Sequence, residues 1–248
     1  MTSYHGGKQR IGKKLAEVIH DKSLDIEDKF DFTIKGYCEP FCGMLGVYQH
    51  IPQLFIEHKP KLKYVAGDIN KSVILMWKEA KGRWKPPIKV LKKEYDKLRY
   101  DGKSSALKGY IGHQYSFGGQ YLHGYFKAKN SYPKTVQKVK DIAVSLRHVK
   151  FQDCNYNKFS NLKNYIIYCD PPYSSFSIYY NDQNKRVEFD PEEFWDWCRE
   201  MSKNNIVIIS EYKAPIDFKK IFTSKNSSVI KGKQSSKTDN LFIHKSWI

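Results

Sequence analysis

Apolar and polar positions along this chain follow two periods, and glycine, proline and aspartate mark where one gives way to the other. Within residues 4–19, Ile11, Leu15, Val18 and Ile19 recur at three- and four-residue spacing, which predicts a helix with one apolar stripe behind Gly6-Gly7. A short strand is expected within 32–48, ending at Glu39-Pro40, with a glycine-bearing turn and then a helix carrying Val47, Tyr48 and Ile51. Lys63–Ala66 reads as a second strand ending at Gly67-Asp68, followed by a helix over Lys71–Ala80 for which Asp68 is a candidate N-cap. Val139, Ile142, Ala143 and Leu146 predict a helix over Val136–Leu146, and Val149–Gln152 a third strand. Tyr165–Cys169, β-branched and aromatic, is a buried strand. Asp190-Pro191-Glu192-Glu193 supplies a cap, a first-turn proline and acids suited to the helix dipole, and Phe194, Trp197, Cys198 and Met201 then form one buried face. Asn205–Ser210 is a fifth strand. Ser228–Lys231 and Leu241–Trp247 are expected to pair as a closing hairpin, with Lys237-Thr238-Asp239-Asn240 in its turn. Strands alternating with helices predict an α/β fold with a mostly parallel sheet covered on both faces.

The stop of the central strand concentrates the chemistry. In Asp170-Pro171-Pro172-Tyr173 neither proline can donate to a sheet ladder, and the residue before a proline is pushed out of the helical region. A carboxylate, a carbonyl and an aromatic ring are therefore presented at the carboxyl end of a strand, where open α/β sheets bind ligands. Two other strand ends face the same way. Gly43 and Gly46 after Glu39-Pro40-Phe41 form a strand–turn–helix unit that brings bare backbone to a ligand. Asp68, with Ile69 beside it, follows that turn at the distance expected of a ribose-binding acid. Gly7 before the first helix lets backbone approach a ligand, with Lys8 reaching over an anion.

A buried strand delivering Asp-Pro-Pro-Tyr resembles motif IV of the amino-group DNA methyltransferases, which methylate an exocyclic base amine with S-adenosylmethionine. Those four residues alone also leave RNA and protein-amide methyltransferases open. The remaining landmarks are similar to the Dam-like, α-group DNA adenine-N6 methyltransferases over nearly the whole chain. That resemblance implies a class I methyltransferase (Rossmann-like) sheet of order 3-2-1-4-5-7-6, last strand antiparallel. It implies a cofactor site drawn from Tyr4, Gly7 and Lys8, from the loop Glu39, Pro40, Phe41, Gly43 and Gly46, and from Asp68 and Ile69. Asp153, Asn155 and Tyr156, which resemble the adenine-holding motif, and Asp170 complete it. Leu45 departs from the family's loop by standing at its usual second glycine. Lys237-Thr238-Asp239 looks like a segment of phage-type members.

The charge balance, 43 basic against 26 acidic residues for a net +17, points to a polyanionic partner. No run approaches the roughly 18 apolar residues of a membrane span, and the start has no signal-peptide core. Nucleic acid is thus favoured over membrane, in a cytosolic-type compartment. The odd set of five cysteines completes no zinc pattern and reads as reduced thiols. Residues 81–135 interleave Lys and Arg with Tyr and Trp, as a surface that neutralises phosphates and stacks bases would, and are expected to be an inserted target-recognition lobe within a catalytic domain of 1–80 and 136–248. Its candidate DNA contacts are Tyr115, Phe117, Gly118, Gln120, Tyr121 and His123. Leu122 lies near where GATC-type enzymes carry a guanine-reading arginine, so that specificity is not implied. Ser174–Arg186 is a candidate lid.

Chemically, Asp170 and the Pro171 carbonyl are suited to accept the two N–H bonds of a flipped adenine with Tyr173 on its face, and no metal is called for. Cytosine-N4 methylation uses the same motif, although the motif order and the Gly-Gly-Lys start favour adenine. A non-catalytic DNA-binding subunit is the rival of a different class. The expected partner is double-stranded DNA. Monomer or homodimer, and association with a cognate restriction endonuclease, stay open.

Overall fold

A computed structural model describes residues 7–126, 132–172, 178–180, 182, 186–230 and 233–248. Tyr4 and Tyr173 lie outside them, as does most of the candidate lid. Helix α1 (Gly12–Phe30) leads into β1 (Gly36–Glu39), a short helical turn and α2 (Ile51–Phe55), then β2 (Lys63–Asp68) and α3 (Lys71–Ala80). The insertion contributes α4 (Lys92–Tyr100) and α5 (Ala106–Gln114) and ends in α6 (Tyr132–Ser145). Then come β3 (Lys150–Asp153), β4 (Tyr165–Cys169), the two-stranded ribbon β5 (Ile178–Tyr180) and β6 (Arg186–Glu188), α7 (Pro191–Ser202), β7 (Ile206–Glu211), β8 (Phe218–Ile230) and β9 (Lys233–His244).

The main sheet runs β3-β2-β1-β4-β7-β9-β8. Strands β1, β2, β3, β4 and β7 are parallel, and β9 is antiparallel to both its neighbours. Counting the strands of this sheet alone, the order is 3-2-1-4-5-7-6 with the seventh reversed, which is the class I methyltransferase sheet. The strand order reverses between β1 and β4, and both strands aim their carboxyl ends into the resulting crevice.

Alternate residues of each strand feed two cores, as the two-residue period requires. Tyr37, Ala66, Phe151, Ile166, Tyr168 and Ile208 pack beneath α1, α2, α3 and α6. Cys38, Ile167, Cys169, Val207 and Ile209 pack beneath α7 and the turn Tyr156–Phe159. Helix α7 begins as expected, with Asp190 accepting from the Glu192 and Glu193 amides at 2.8 and 3.1 Å.

Several expectations are corrected. Asp68 does not cap α3; the cap is Asn70, whose Oδ1 accepts from the Val73 amide at 3.1 Å. The closing hairpin is longer than Ser228–Lys231 and Leu241–Trp247, because both polar strands pair over nearly their whole length. Lys237–Asn240 consequently lies within β9 and not in the turn, and Trp247 falls in a terminal helical turn. The described residues of the inserted lobe continue the core of the sheet's helical layer. Tyr95, Ala106, Tyr110 and Tyr115 join the residues under α3 in one continuous cluster, and Gly109 lies so close that a Cβ would stand 2.1 Å from the Ser72 carbonyl. Helix α6 starts at Tyr132, so it straddles the expected boundary at 135.

Candidate active site

The crevice is assembled from strand ends and one pre-helical segment. Tyr37 and Glu39, two apart on β1, share a face, and the Tyr37 hydroxyl donates to Glu39 Oε1 at 2.7 Å. Glu39 is 3% exposed, and burial pushes its carboxyl well above the usual range; the Tyr37 bond opposes this and neighbouring Asp170 adds to it.

The turn after β1 is clamped from both sides. Asp68 at the end of β2 accepts from the Gly43 amide through Oδ2 and from the Asn70 amide through Oδ1, both at 2.8 Å. Loss of hydration raises the Asp68 pKa to about 6 in spite of these donors. Trp77 Nε1 donates to the Gly43 carbonyl at 2.9 Å. Gly43 and Leu45 both have positive φ, 43° and 56°. Leu45 thus supplies a left-handed conformation of the kind glycine adopts most readily, and it is fully buried.

Gly46, expected to face the cofactor, receives the N-terminal segment: a Cβ there would stand 3.2 Å from the Lys8 and Gln9 backbone. Gly12 closes the same contact, since its Cβ would meet the Gly46 carbonyl at 2.0 Å. These two glycines let the start of α1 sit directly on the turn, and that seating carries Lys8 into the crevice. Lys8 Nζ lies 2.8 Å from Asp170 Oδ1, immediately after β4, and 3.5 Å from Asp239 Oδ1 on β9. Lys8 therefore faces carboxylates of the protein, where an anionic ligand was expected. Gly7 is half-buried next to it.

On the opposite side of the turn, Phe41 stacks on Tyr156 at 5.5 Å and meets Phe194 edge-on at 5.7 Å, with Ile69 half-buried. Of the three residues expected to hold adenine, Tyr156 alone joins this aromatic group. Asp153 turns towards α3 and ion-pairs with Lys78 at 3.6 Å, and Asn155 accepts from the Asn157 amide to cap its own turn. Pro40 and Pro171 are buried and Pro172 half-buried.

A carboxylate at the end of β2, buried and half-buried aromatic and aliphatic groups beside it, and an acid at the end of β1 fit S-adenosylmethionine. The β2 acid suits ribose hydroxyls, the rings suit adenine, and Glu39 suits a cationic methionine moiety. Among the described residues, no group of three His, Cys, Asp or Glu side chains is placed to hold a metal, and no helix is long and apolar enough to cross a membrane. The described cysteines are all unpaired thiols. A separate groove of about 610 Å³ lies at the amino ends of β2, β3 and β4, between Lys63, Lys150, Phe159 and Tyr165, away from Asp170.

The lobe corrects part of the expected DNA surface. Tyr115 is 1% exposed, stacks on Tyr132 at 4.1 Å and donates to the Ile88 carbonyl at 2.7 Å, so its ring is core and unavailable to a base. Tyr121 is half-buried against Gly112, where a Cβ would stand 2.2 Å from its ring. Leu122 is buried with φ 53°. Phe117 is 65% exposed on a turn whose Gly118 has φ 62°; Gly118 and His123 are exposed and Gln120 is half-buried. Tyr37, Trp77 and Tyr212 were not singled out in the sequence. For Tyr37 the available signal was its place two residues before Glu39 on a strand.

No protein-family model and no curated protein matches this chain. Among solved structures, it is similar to the rRNA methyltransferase AviRa from Streptomyces viridochromogenes, with 10% identity over 95% of this chain and 85% of that one and a TM-score of 0.39. It is also similar to the magnesium protoporphyrin IX methyltransferase from Synechocystis PCC 6803 with bound S-adenosylmethionine, with 10% identity over 96% and 82% and a TM-score of 0.35. Likenesses this distant carry no functional weight, and the fold rests on the strand order and directions given above.

Proposed function

We propose that this protein is an S-adenosylmethionine-dependent DNA methyltransferase of the Dam-like group that modifies N6 of a flipped adenine. The observation that carries this reading is Asp170 at the end of β4, followed by Pro171 and held by Lys8 beside the clamped Gly43 turn. Adenine N6 is a poor nucleophile because its lone pair is delocalised into the ring. Asp170 and the Pro171 carbonyl accept its two N–H bonds and draw the nitrogen towards tetrahedral geometry. S-adenosylmethionine, when bound, supplies an electrophilic methyl group. The methylated nitrogen is strongly acidic, so the Asp170 carboxylate takes or passes on its proton. Tyr173 stacks on the base, which must leave the duplex to be reached. Exposed Phe117, on a turn that Gly118 allows to project, is suited to wedge the stack as the base leaves.

The test is incubation of duplex DNA with methyl-labelled donor, followed by nucleoside mass spectrometry. Labelled N6-methyladenine supports the reading. Labelled N4-methylcytosine would replace it with the rival chemistry, and no label on DNA would overturn it.

A further inference from the structure

Asp239 belongs to a motif that the proposed reaction leaves without a task. It stands on β9 next to Asn240, which pairs with Glu211 at the end of β7, so it lies just past that strand end and beside Tyr212. Lys8, 6% exposed, has its ammonium between Asp170 and Asp239, whose side chains are 18% and 14% exposed. An ammonium so buried between two carboxylates keeps one orientation, and each carboxylate limits how closely the other can hold it. The groups around Asp170 come from four segments: Lys8 ahead of α1, Glu39 on β1, Glu211 and Tyr212 at the end of β7, and Asp239 on β9. Tyr212 registers this field, its pKa being raised first by burial and then by Asp239, with Lys8 opposing and Glu211 and Asp170 adding. Glu39 registers Asp170 in the same sense.

We propose that Lys8 and Asp239 are positioning residues for Asp170, Lys8 fixing the direction of its carboxylate and Asp239 restraining Lys8 so that Asp170 remains a strong acceptor. The inference rests on the reading of Asp170 as the group that receives the amine. Without the Lys8 ammonium, Asp170 keeps the like charges of Asp239 and Glu39 near it, and like charges disfavour ionisation. Without the Asp239 charge, a like charge is removed and Lys8 holds Asp170 more strongly, which favours ionisation and weakens the carboxylate as an acceptor.

Two substitutions should therefore move one titration in opposite directions. Followed by carbon-13 NMR of the Asp170 carboxyl in the full chain, the midpoint should rise by about one pH unit in Lys8→Gln and fall in Asp239→Asn. In the methyl-transfer assay, Asp239→Asn should lower kcat by about tenfold and leave KM for the donor unchanged, a split that loss of packing would not produce. Thermal unfolding shows whether each variant folds. If Lys8→Gln does not, Asp239→Asn decides alone. An unmoved midpoint, or one that rises in Asp239→Asn, overturns the proposal. If the midpoints move as expected while the parent protein methylates no DNA, the triad stands and the substrate reading fails.

Discussion

Lys8 and Lys108 are 6% and 0% exposed, one at the carboxyl edge of the sheet and the other at the base of the inserted lobe. Lys108, on α5, meets Asp101 at 3.0 Å, only seven residues back, and the pair closes the turn between α4 and α5. Lys8 meets Asp170 and Asp239, from the middle and the end of the chain. The tyrosines divide by the kind of group that receives their hydroxyls. Three lobe hydroxyls end on backbone carbonyls: Tyr115 on Ile88, Tyr125 on Val90 and Tyr132 on Phe126. At the sheet edge Tyr37 ends on the Glu39 carboxylate. Identical residue types build a scaffold where their partners are near in sequence or on backbone, and an ionic site where distant acids converge.

Removing the convergent carboxylate should have the largest effect. Asp170→Ala is expected to lower methyl transfer by about 10²–10⁴-fold while donor affinity holds, because Lys8 keeps Asp239 as a partner. Calorimetry beside the transfer assay checks this, and parallel losses of rate and affinity would make Asp170 part of the donor site.

In the lobe the corresponding change should cost stability and not chemistry. Tyr115→Ala removes a fully packed ring and is expected to destabilise by about 3–5 kcal/mol, read by urea unfolding. A near-neutral result would mean that the lobe's aromatic stack is not core.

A smaller effect belongs to Asp68. Its folded pKa of about 6 lies above the ordinary 3.8, so the folded state holds the proton more tightly than the unfolded chain. The corresponding stability is present in full below about pH 4 and is lost as pH rises through about 6. Donor binding runs the other way if ribose needs the carboxylate, weakening by about tenfold between pH 7 and pH 5. Asp68→Asn should flatten both profiles, and a wild-type affinity that is level across this window would separate Asp68 from the donor.

The smallest expected change in stability is at Phe117, which is 65% exposed. Phe117→Ala should alter stability by less than about 0.5 kcal/mol. Its effect is expected instead in the ratio of transfer to duplex over unpaired DNA, which should fall. An unchanged ratio would leave the lobe with no wedge at this turn.

Local punctuation in the sequence determines much of the fold without any tertiary contact. Helix α3 over Lys71–Ala80, helix α7 behind Asp190-Pro191 and strand β4 over Tyr165–Cys169 fall where apolar spacing, a capping aspartate with its proline, and a β-branched and aromatic run put them. These signals act within a few residues, so sequence carries them whole. Glu39, Asp68 and Asp170 are legible for the same reason, since each sits at a strand stop. Other features depended on partners far along the chain. The polar strands β8 and β9 have little apolar alternation to announce them, and their extent follows from pairing with each other. Tyr115 resembled a surface ring because it stands among glycines and polar groups; Tyr132 and the Ile88 carbonyl bury it. Lys8 read as an anion-reaching lysine, and only the close seating of α1 on Gly46 gives it Asp170 and Asp239 as partners. Burial and ion pairing belong to the set of neighbours and not to one residue, and in a parallel sheet with crossovers those neighbours come together only when the chain is folded.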